Sequence, residues 1–242
     1  MNLLLAAPRE IDADGRLLLS DRRHRHLREV LAVAAGDRVR VGEIDGRVGS
    51  AQVTAIDEHC ARLQVTLNRA PPAPLPVRLV LALPRPKMLR RILRCIAELG
   101  VKDLHLINSH RVEKSFWQSP LLEHEAFAPY LLEGLEQAMD TIRPRVHLHR
   151  RFRPFVEDEL AALADGSELL LADVRAGHAY PDASTAPTVL IIGPEGGFIP
   201  FERDLLQGVG ARPASLGARV LRVETAVPVA LARHRSPAPD DC

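Results

Sequence analysis

Aromatic residues make up only 4% of this 242-residue chain, with a single Trp and two Tyr. Its core must therefore be built from Leu, Val, Ile and Ala, and a platform of several rings for stacking unpaired bases would be hard to assemble. Cysteine is equally scarce. Cys60, Cys95 and Cys242 are far apart and make no C-x-x-C pair, which argues against a disulfide framework and against a structural zinc site. A reducing cytoplasm is the expected setting. No run approaches the roughly 18 apolar residues of a membrane span, so no membrane partner is expected. The start, Met1-Asn2-Leu3-Leu4-Leu5, lacks a basic region and soon meets Arg9, Glu10 and Asp12, a poor signal peptide. Net charge is also small: 32 basic residues against 31 acidic give +1. No global field steers the protein to nucleic acid, and any such attraction must be local.

What is present is ordinary globular composition, 46% apolar and 26% charged, enough for a sizeable core. At roughly 100 to 200 residues per domain the length predicts one large domain or two modest ones. Over residues 1–70 short alternating runs such as Arg38-Val39-Arg40-Val41 and Arg62-Leu63-Gln64-Val65 are joined by glycine turns, Asp45-Gly46 among them. That pattern predicts a small β-barrel. Residues 71–76 carry the prolines of Pro71-Pro72-Ala73-Pro74-Leu75-Pro76 and read as a stiff linker.

From residue 77 to 235 apolar strands alternate with helical stretches, the signature of an α/β domain with a parallel sheet. Strands are expected at Val77–Leu83, Val101–Ile107, near Val146, at Leu169–Ala172 and at Thr188–Ile192. Helices are expected at Arg85–Leu99, closed by Gly100, and at about Leu121–Met139, with further ones from Pro200 and up to His234. Residues 236–242 form a Pro-containing tail.

The sharpest local feature is Ile192-Gly193-Pro194-Glu195-Gly196-Gly197-Phe198, where an apolar strand runs into a Gly-rich loop before a helix. Glycine lets a ligand approach backbone, and strand ends are where parallel α/β folds bind small molecules. The loop has neither the Gly-Lys-Ser/Thr of a P-loop nor the dinucleotide G-x-G-x-x-G, which lowers the ATP and NAD readings. A tight strand-to-helix turn is the plainer alternative. Further on, Leu216-Gly217-Ala218-Arg219-Val220-Leu221-Arg222-Val223-Glu224-Thr225 gathers two arginines, an acid and a hydroxyl before a helix. Capping with an Arg–Glu pair would also explain it, with Pro228 in the first helical turn.

Three basic clusters stand apart from acids. Lys87, Arg91 and Arg94 share one helical stripe, Arg22, Arg23, Arg25 and Arg28 lie in the N-terminal part, and a third runs from Arg143 to Arg153. Phosphates of RNA are candidate partners for the first two, although the helical stripe alone also fits a solvated face. The pairs His24/His26 and His147/His149 would each share one side of a strand. Without a third ligand in a known spacing no metal site is expected.

Taken together, Gly193-Pro194-Glu195-Gly196-Gly197, Leu216-Gly217-x-Arg219-Val220-Leu221-Arg222-x-Glu224-Thr225, Ala97-Glu98-Leu99-Gly100-Val101 and Arg25-His26-Leu27-Arg28-Glu29-Val30-Leu31 resemble the 16S rRNA uridine-N3 methyltransferase family, the RsmE type of the SPOUT superfamily. The likeness extends over nearly the whole chain. It departs at the N-terminus, at Lys87-Met88-Leu89, at Ala32, at Ile199-Pro200, and at Glu136-Gln137-Ala138-Met139-Asp140-Thr141, where a Gly-Arg is missing.

The resemblance implies a deep trefoil-knot domain after a PUA-like barrel, a homodimer, S-adenosyl-L-methionine (AdoMet) as cofactor, and 16S rRNA or the small ribosomal subunit as partner. Three loops would hold AdoMet: Leu171, Ala172 and Asp173; Gly193, Pro194, Glu195, Gly196 and Gly197; and Leu216, Gly217, Val220 and Leu221 with Thr225 close by. Chemically, such a transfer needs uridine N3 aligned with the methyl group; Arg219 or Arg222 is assigned the role of stabilising a developing uracil anion, and Glu195 or Glu224 that of accepting the N3 proton directly or through water. Arginine itself cannot be the base. A paralogous enzyme on another RNA, and a silent RNA-binding or assembly protein, remain open. Only the latter has no need of Glu195, Arg222, Glu224 and Thr225 together.

Overall fold

The computed structural model describes residues 2–123 and 125–236, so Cys242 and all of the expected tail except Ser236 lie outside the described residues. Two compact units emerge: Met1–Pro72 with Leu132–Arg143, and Ala73–Leu131 with Pro144–Cys242. The proline segment lies where one passes to the other.

The first unit contains β1 (Leu4–Ala6), β2 (Arg16–Leu19), a short α1 (Arg22–Arg25) running into a wider turn at His26–Val30, β3 (Arg38–Glu43), β4 (Val48–Ile56) and β5 (Ala61–Arg69). They form one five-stranded mixed sheet in the order β1-β3-β4-β5-β2, with β1 and β3 parallel and the other neighbours antiparallel. Alternation sends Val41, Ala51, Val53, Leu63 and Val65 inward to meet Leu17, Leu19 and Leu27. At Gly49 a Cβ would lie 1.9 Å from the Thr66 carbonyl oxygen, so only glycine allows the register shift between β4 and β5 there. Leu132–Arg143 joins this unit through backbone: the N–H groups of Asn2 and Leu3 donate to the Glu136 carbonyl at 3.2 and 3.0 Å. The Thr141 hydroxyl donates to the Gly46 carbonyl at 2.6 Å.

The second unit follows the strand and helix alternation: β6 (Val77–Ala82), α2 (Pro86–Glu98), β7 (Asp103–Ile107), the start of α3 (Ala128–Ala138), β8 (Arg145–His149), α4 (Phe152–Pro154) leading through a wide turn into α5 (Leu160–Leu163), β9 (Glu168–Ala172), β10 (Thr188–Ile192), α6 (Pro200–Gly208), β11 (Arg212–Ala214) and α7 (Val223–Leu231). Six strands form an all-parallel sheet in the order β11-β9-β10-β6-β7-β8. Chain order runs outward from β6 through β7 to β8. It then returns on the far side, leaving the slot that β10 fills. All five β10 residues are buried, as a strand covered on both faces requires. Register pairs Ile192 with Leu81 and with Ala172, so the carboxyl ends of β9, β10 and β6 finish level. Open parallel sheets bind ligands at such ends, near the point where strand order reverses.

Helix α2 starts on Pro86, whose missing N–H is harmless in the first turn. It buries Leu89, Ile92, Leu93, Ile96 and Ala97 and stops at Gly100, at φ +81°.

Three local expectations need correction. The helix expected from Leu121 begins only at Ala128, because an earlier start would put Pro129 inside the helix, where it removes a hydrogen bond. His24 and His26 are helical, not on a strand, since Asp21 caps α1 by accepting from the Arg23 N–H at 2.9 Å. Pro228 is interior to α7 and not in its first turn. The Ala232 N–H nevertheless reaches the Pro228 carbonyl at 2.9 Å.

Candidate active site

Three loops leave the carboxyl ends of β9, β10 and β11, and their sequences dictate their shapes. After β9 the Asp173 carboxylate accepts from the Arg175 N–H at 2.9 Å and Nε at 3.2 Å, a local turn that a short carboxylate makes readily. After β10 the Gly197 N–H donates to the Pro194 carbonyl at 2.7 Å with Gly197 at φ +70°, a backbone conformation that favours glycine. A Cβ on Gly193 would approach the Phe198 ring to 3.0 Å, so the loop folds back onto that buried aromatic. After β11 the Ser215 hydroxyl donates to the Gly217 carbonyl at 3.1 Å and accepts from its N–H at 3.2 Å.

These loops enclose a cavity of about 270 Å³. It is lined by Leu171, Ala172 and Asp173, by Gly193 through Phe198, and by Leu216, Gly217, Arg219, Val220 and Leu221. Every residue expected to hold a cofactor is among them except Thr225. Ile192, Val223 and Ala226 add apolar wall, and Arg175 and Arg203 add charge. Apolar walls with backbone polar groups between them suit a small organic ligand. The Asp173 carboxylate already has Arg175 at 3.2 Å and Arg203 at 3.8 Å.

A second groove, about 550 Å³, shares Glu195, Val220 and Leu221 with the first. Its other walls are Arg85, Lys87, Met88, Arg91, Arg222 and Glu224. Here the two candidate arginines separate: Arg219 lines only the first cavity and Arg222 only the second. Glu224 borders only the second, whereas Glu195 borders both and lies 3.7 Å from Arg85. Helix capping with an Arg–Glu pair does not account for this segment in full. Arg222 occupies the position before α7 and the helix start has no side-chain cap, and among the described residues no ion pair joins Arg222 to Glu224.

The basic clusters divide as well. Lys87 and Arg91 face the second groove. Arg94 instead donates to the Arg90 carbonyl at 3.1 Å and lies 4.8 Å from the Tyr130 ring centre. In the N-terminal unit Arg23, expected to meet RNA, is buried and already has partners within the fold. Its guanidinium donates to Glu10 at 2.7 Å, to Asp21 at 3.0 Å and to the Leu5 carbonyl at 2.8 Å, and the bond from Arg23 holds the Glu10 carboxyl below its usual range. Arg22 is bound to both Glu136 oxygens, at 2.6 and 3.2 Å, although its side chain stays exposed. Arg28 reaches Glu29 at 3.3 Å, and Arg25 is exposed. Sequence spacing could not show this, because Glu10 and Glu136 are remote in the chain. Nothing local in the sequence marks Arg85, Arg175, Arg203 or Arg111 as belonging to these loops and grooves.

An α/β domain with a ligand cavity at the carboxyl ends of its parallel strands and a basic groove opening beside it defines a class: an enzyme domain for a small cofactor and an anionic substrate. The chain belongs to the RNA methyltransferase domain family, whose model matches residues 71–235. It is 33% identical over 241 residues to the ribosomal RNA small subunit methyltransferase E of Treponema pallidum, covering 96% of this chain and 90% of that one. The protein of the same name from Synechocystis is 31% identical over 236 residues, with 95% and 76% covered. Among solved structures, a ribosomal RNA small subunit methyltransferase E from Neisseria gonorrhoeae bound to S-adenosyl methionine has a TM-score of 0.73 at 22% identity, with 96% and 95% covered. That likeness shows a shared fold.

Proposed function

We propose that the chain methylates N3 of a uridine in 16S rRNA of the small ribosomal subunit, taking the methyl group from AdoMet. The observation that carries this reading is the sharing of Glu195, Val220 and Leu221 between an apolar, glycine-edged cavity and a cationic groove. The names of the two relatives point to the same RNA. The residues present fit the cofactor: Leu171, Ile192, Leu216 and Leu221 offer apolar walls, and the glycine loop offers exposed backbone.

AdoMet in that cavity would supply an electrophilic methyl group. The protein's own task is alignment and proton handling. Lys87, Arg91 and Arg85 would hold phosphate and ribose in the groove, and Arg222 would face the uracil oxygens, where negative charge grows. Glu195, on the boundary between the two spaces, would accept the N3 proton directly or through water. Arg219 belongs with the cofactor instead.

The reading includes a trefoil knot, supported by the return of the chain from edge strand β11 past β9 to α7, which packs on α2 and β10. It also includes a PUA-like closure of the N-terminal sheet, a cytoplasmic location and a homodimer. The apolar residues Val227, Ala230 and Leu231 of α7 are buried within the chain, so they give no separate argument for a dimer face. Mass mapping of methylated nucleosides in rRNA from cells lacking the protein tests reaction and substrate together. Loss of one N3-methyluridine is expected, and an unchanged small-subunit rRNA with a change in another RNA would move the assignment to that RNA.

A further inference from the structure

The loop after β7 reaches the glycine loop from a distant part of the sequence. It turns at Ser109, with the Val112 N–H donating to the Ser109 carbonyl at 3.0 Å. From this turn two connections run in opposite senses. The Arg111 guanidinium donates through Nη1 to the Gly196 carbonyl and, at 3.4 Å, to the Gly197 carbonyl. In return the buried Glu202 carboxylate, in the first turn of α6, accepts from the His110 N–H at 2.6 Å and from the Ile199 N–H at 3.1 Å. The segment from Gly196 to Ile199 is therefore held at one end by Arg111 and at the other by Glu202, which also accepts from the neighbouring His110 N–H of the same turn.

Arg111 also lies close against the loop. A Cβ on Gly196 would come to 3.0 Å from the Arg111 Cδ, so a side chain at 196 would press on the arginine beside the carbonyls it binds. With both carbonyls engaged by a cation, and the Gly197 N–H turned to Pro194, the loop has one defined shape along the cavity wall. A charge-assisted bond of this kind is stronger than a neutral one and orders a loop that glycine would otherwise leave free.

We propose that Arg111 is a positioning residue for the cofactor, pre-shaping the Gly196-Gly197 wall of the AdoMet cavity without touching the reacting atoms. This rests on the reading of that cavity as the AdoMet site. It also gives Gly196 a second part: the bare backbone there leaves room for Arg111 as well as lining the cavity.

Calorimetry of AdoMet binding to the full chain tests it, with Arg111→Ala, Arg111→Lys, Gly196→Ala and the Arg111→Ala/Gly196→Ala pair. Loss of a charge-assisted clasp should weaken AdoMet binding by roughly 10-fold in Arg111→Ala, with partial recovery in Arg111→Lys, whose single ammonium cannot bridge two carbonyls. In methylation assays KM for AdoMet should rise while kcat at saturating AdoMet holds, a split that general loss of folded protein would not give. Gly196→Ala should weaken binding when Arg111 is present and add little once it is gone. Normal binding in Arg111→Ala, or full additivity of the pair, overturns the proposal while leaving the AdoMet site standing. Absence of AdoMet binding by the unaltered protein overturns both.

Discussion

Glu195, on the wall shared by the two cavities, faces Arg85 of the second groove at 3.7 Å, with both side chains more than half exposed. Among the carboxylates considered for the proton of N3, Glu195 alone borders both spaces. A proton acceptor must stand where cofactor and base meet, so Glu195→Gln should lower the single-turnover methylation rate by roughly 10²-fold. Glu224→Gln should cost much less. Rapid-quench assays at saturating RNA and AdoMet decide this, and the reverse order of effects would transfer the role to Glu224.

The separation of Arg219 from Arg222 gives a second prediction. On the proposed reading, Arg222→Ala should reduce the saturated single-turnover rate by roughly 10²-fold or more with AdoMet affinity nearly unchanged, because it would remove charge that acts only as a uracil anion forms. Arg219→Ala should instead weaken AdoMet binding in calorimetry. An Arg222→Ala variant that lost RNA affinity alone would be a phosphate anchor.

Much of this was legible in the sequence because it is local. The buried strand Thr188–Ile192, the Pro86 start and the Gly100 end of α2, and the glycine loop all announce themselves within a few residues. The cavity lining followed from motifs that already held the three loops. What could not be read is long-range. Arg111 meets Gly196 across 85 positions and Arg22 meets Glu136 across 114, and no periodicity encodes such pairs. Such pairs show which arginines already have partners within the fold, which local sequence does not record.

RNA binding should accordingly divide by position. Lys87→Ala and Arg91→Ala should weaken RNA affinity and each flatten its salt dependence by about one phosphate contact, whereas Arg94→Ala should change the slope little. Arg23→Ala belongs to another category. It strands Glu10 and Asp21 beside a buried Leu5 carbonyl, so it should destabilise the protein by on the order of 2 kcal/mol or more. Filter binding at several salt concentrations, beside thermal melts, separates the two effects.

A last prediction concerns acid. On adjacent strands β7 and β8 the rings of His105 and His147 stack at 4.5 Å, and His105 Nδ1 lies 3.0 Å from His149 Nε2. Asp103 lies 3.6 Å from His147, Glu159 lies 3.3 Å from His149, and Phe155 packs on both His105 and His149. Burial, then the neighbouring His147 and His149, push His105 down to about 4, with Arg78 adding to the effect and Asp103 opposing it. Burial also lowers His149, against the pull of Glu159. A base depressed in the folded state takes up its proton more readily when the chain unfolds. Its contribution to stability is therefore complete above the unfolded value near 6.5 and is lost as pH falls towards 4. His105 alone can account for at most about 1.4 kcal/mol per pH unit across that window, less where solvent screens it. Urea midpoints measured from pH 7.5 to 4.5 should fall, and His105→Asn should make the fall shallower. An equal slope in that variant would place the acid sensitivity elsewhere in the fold.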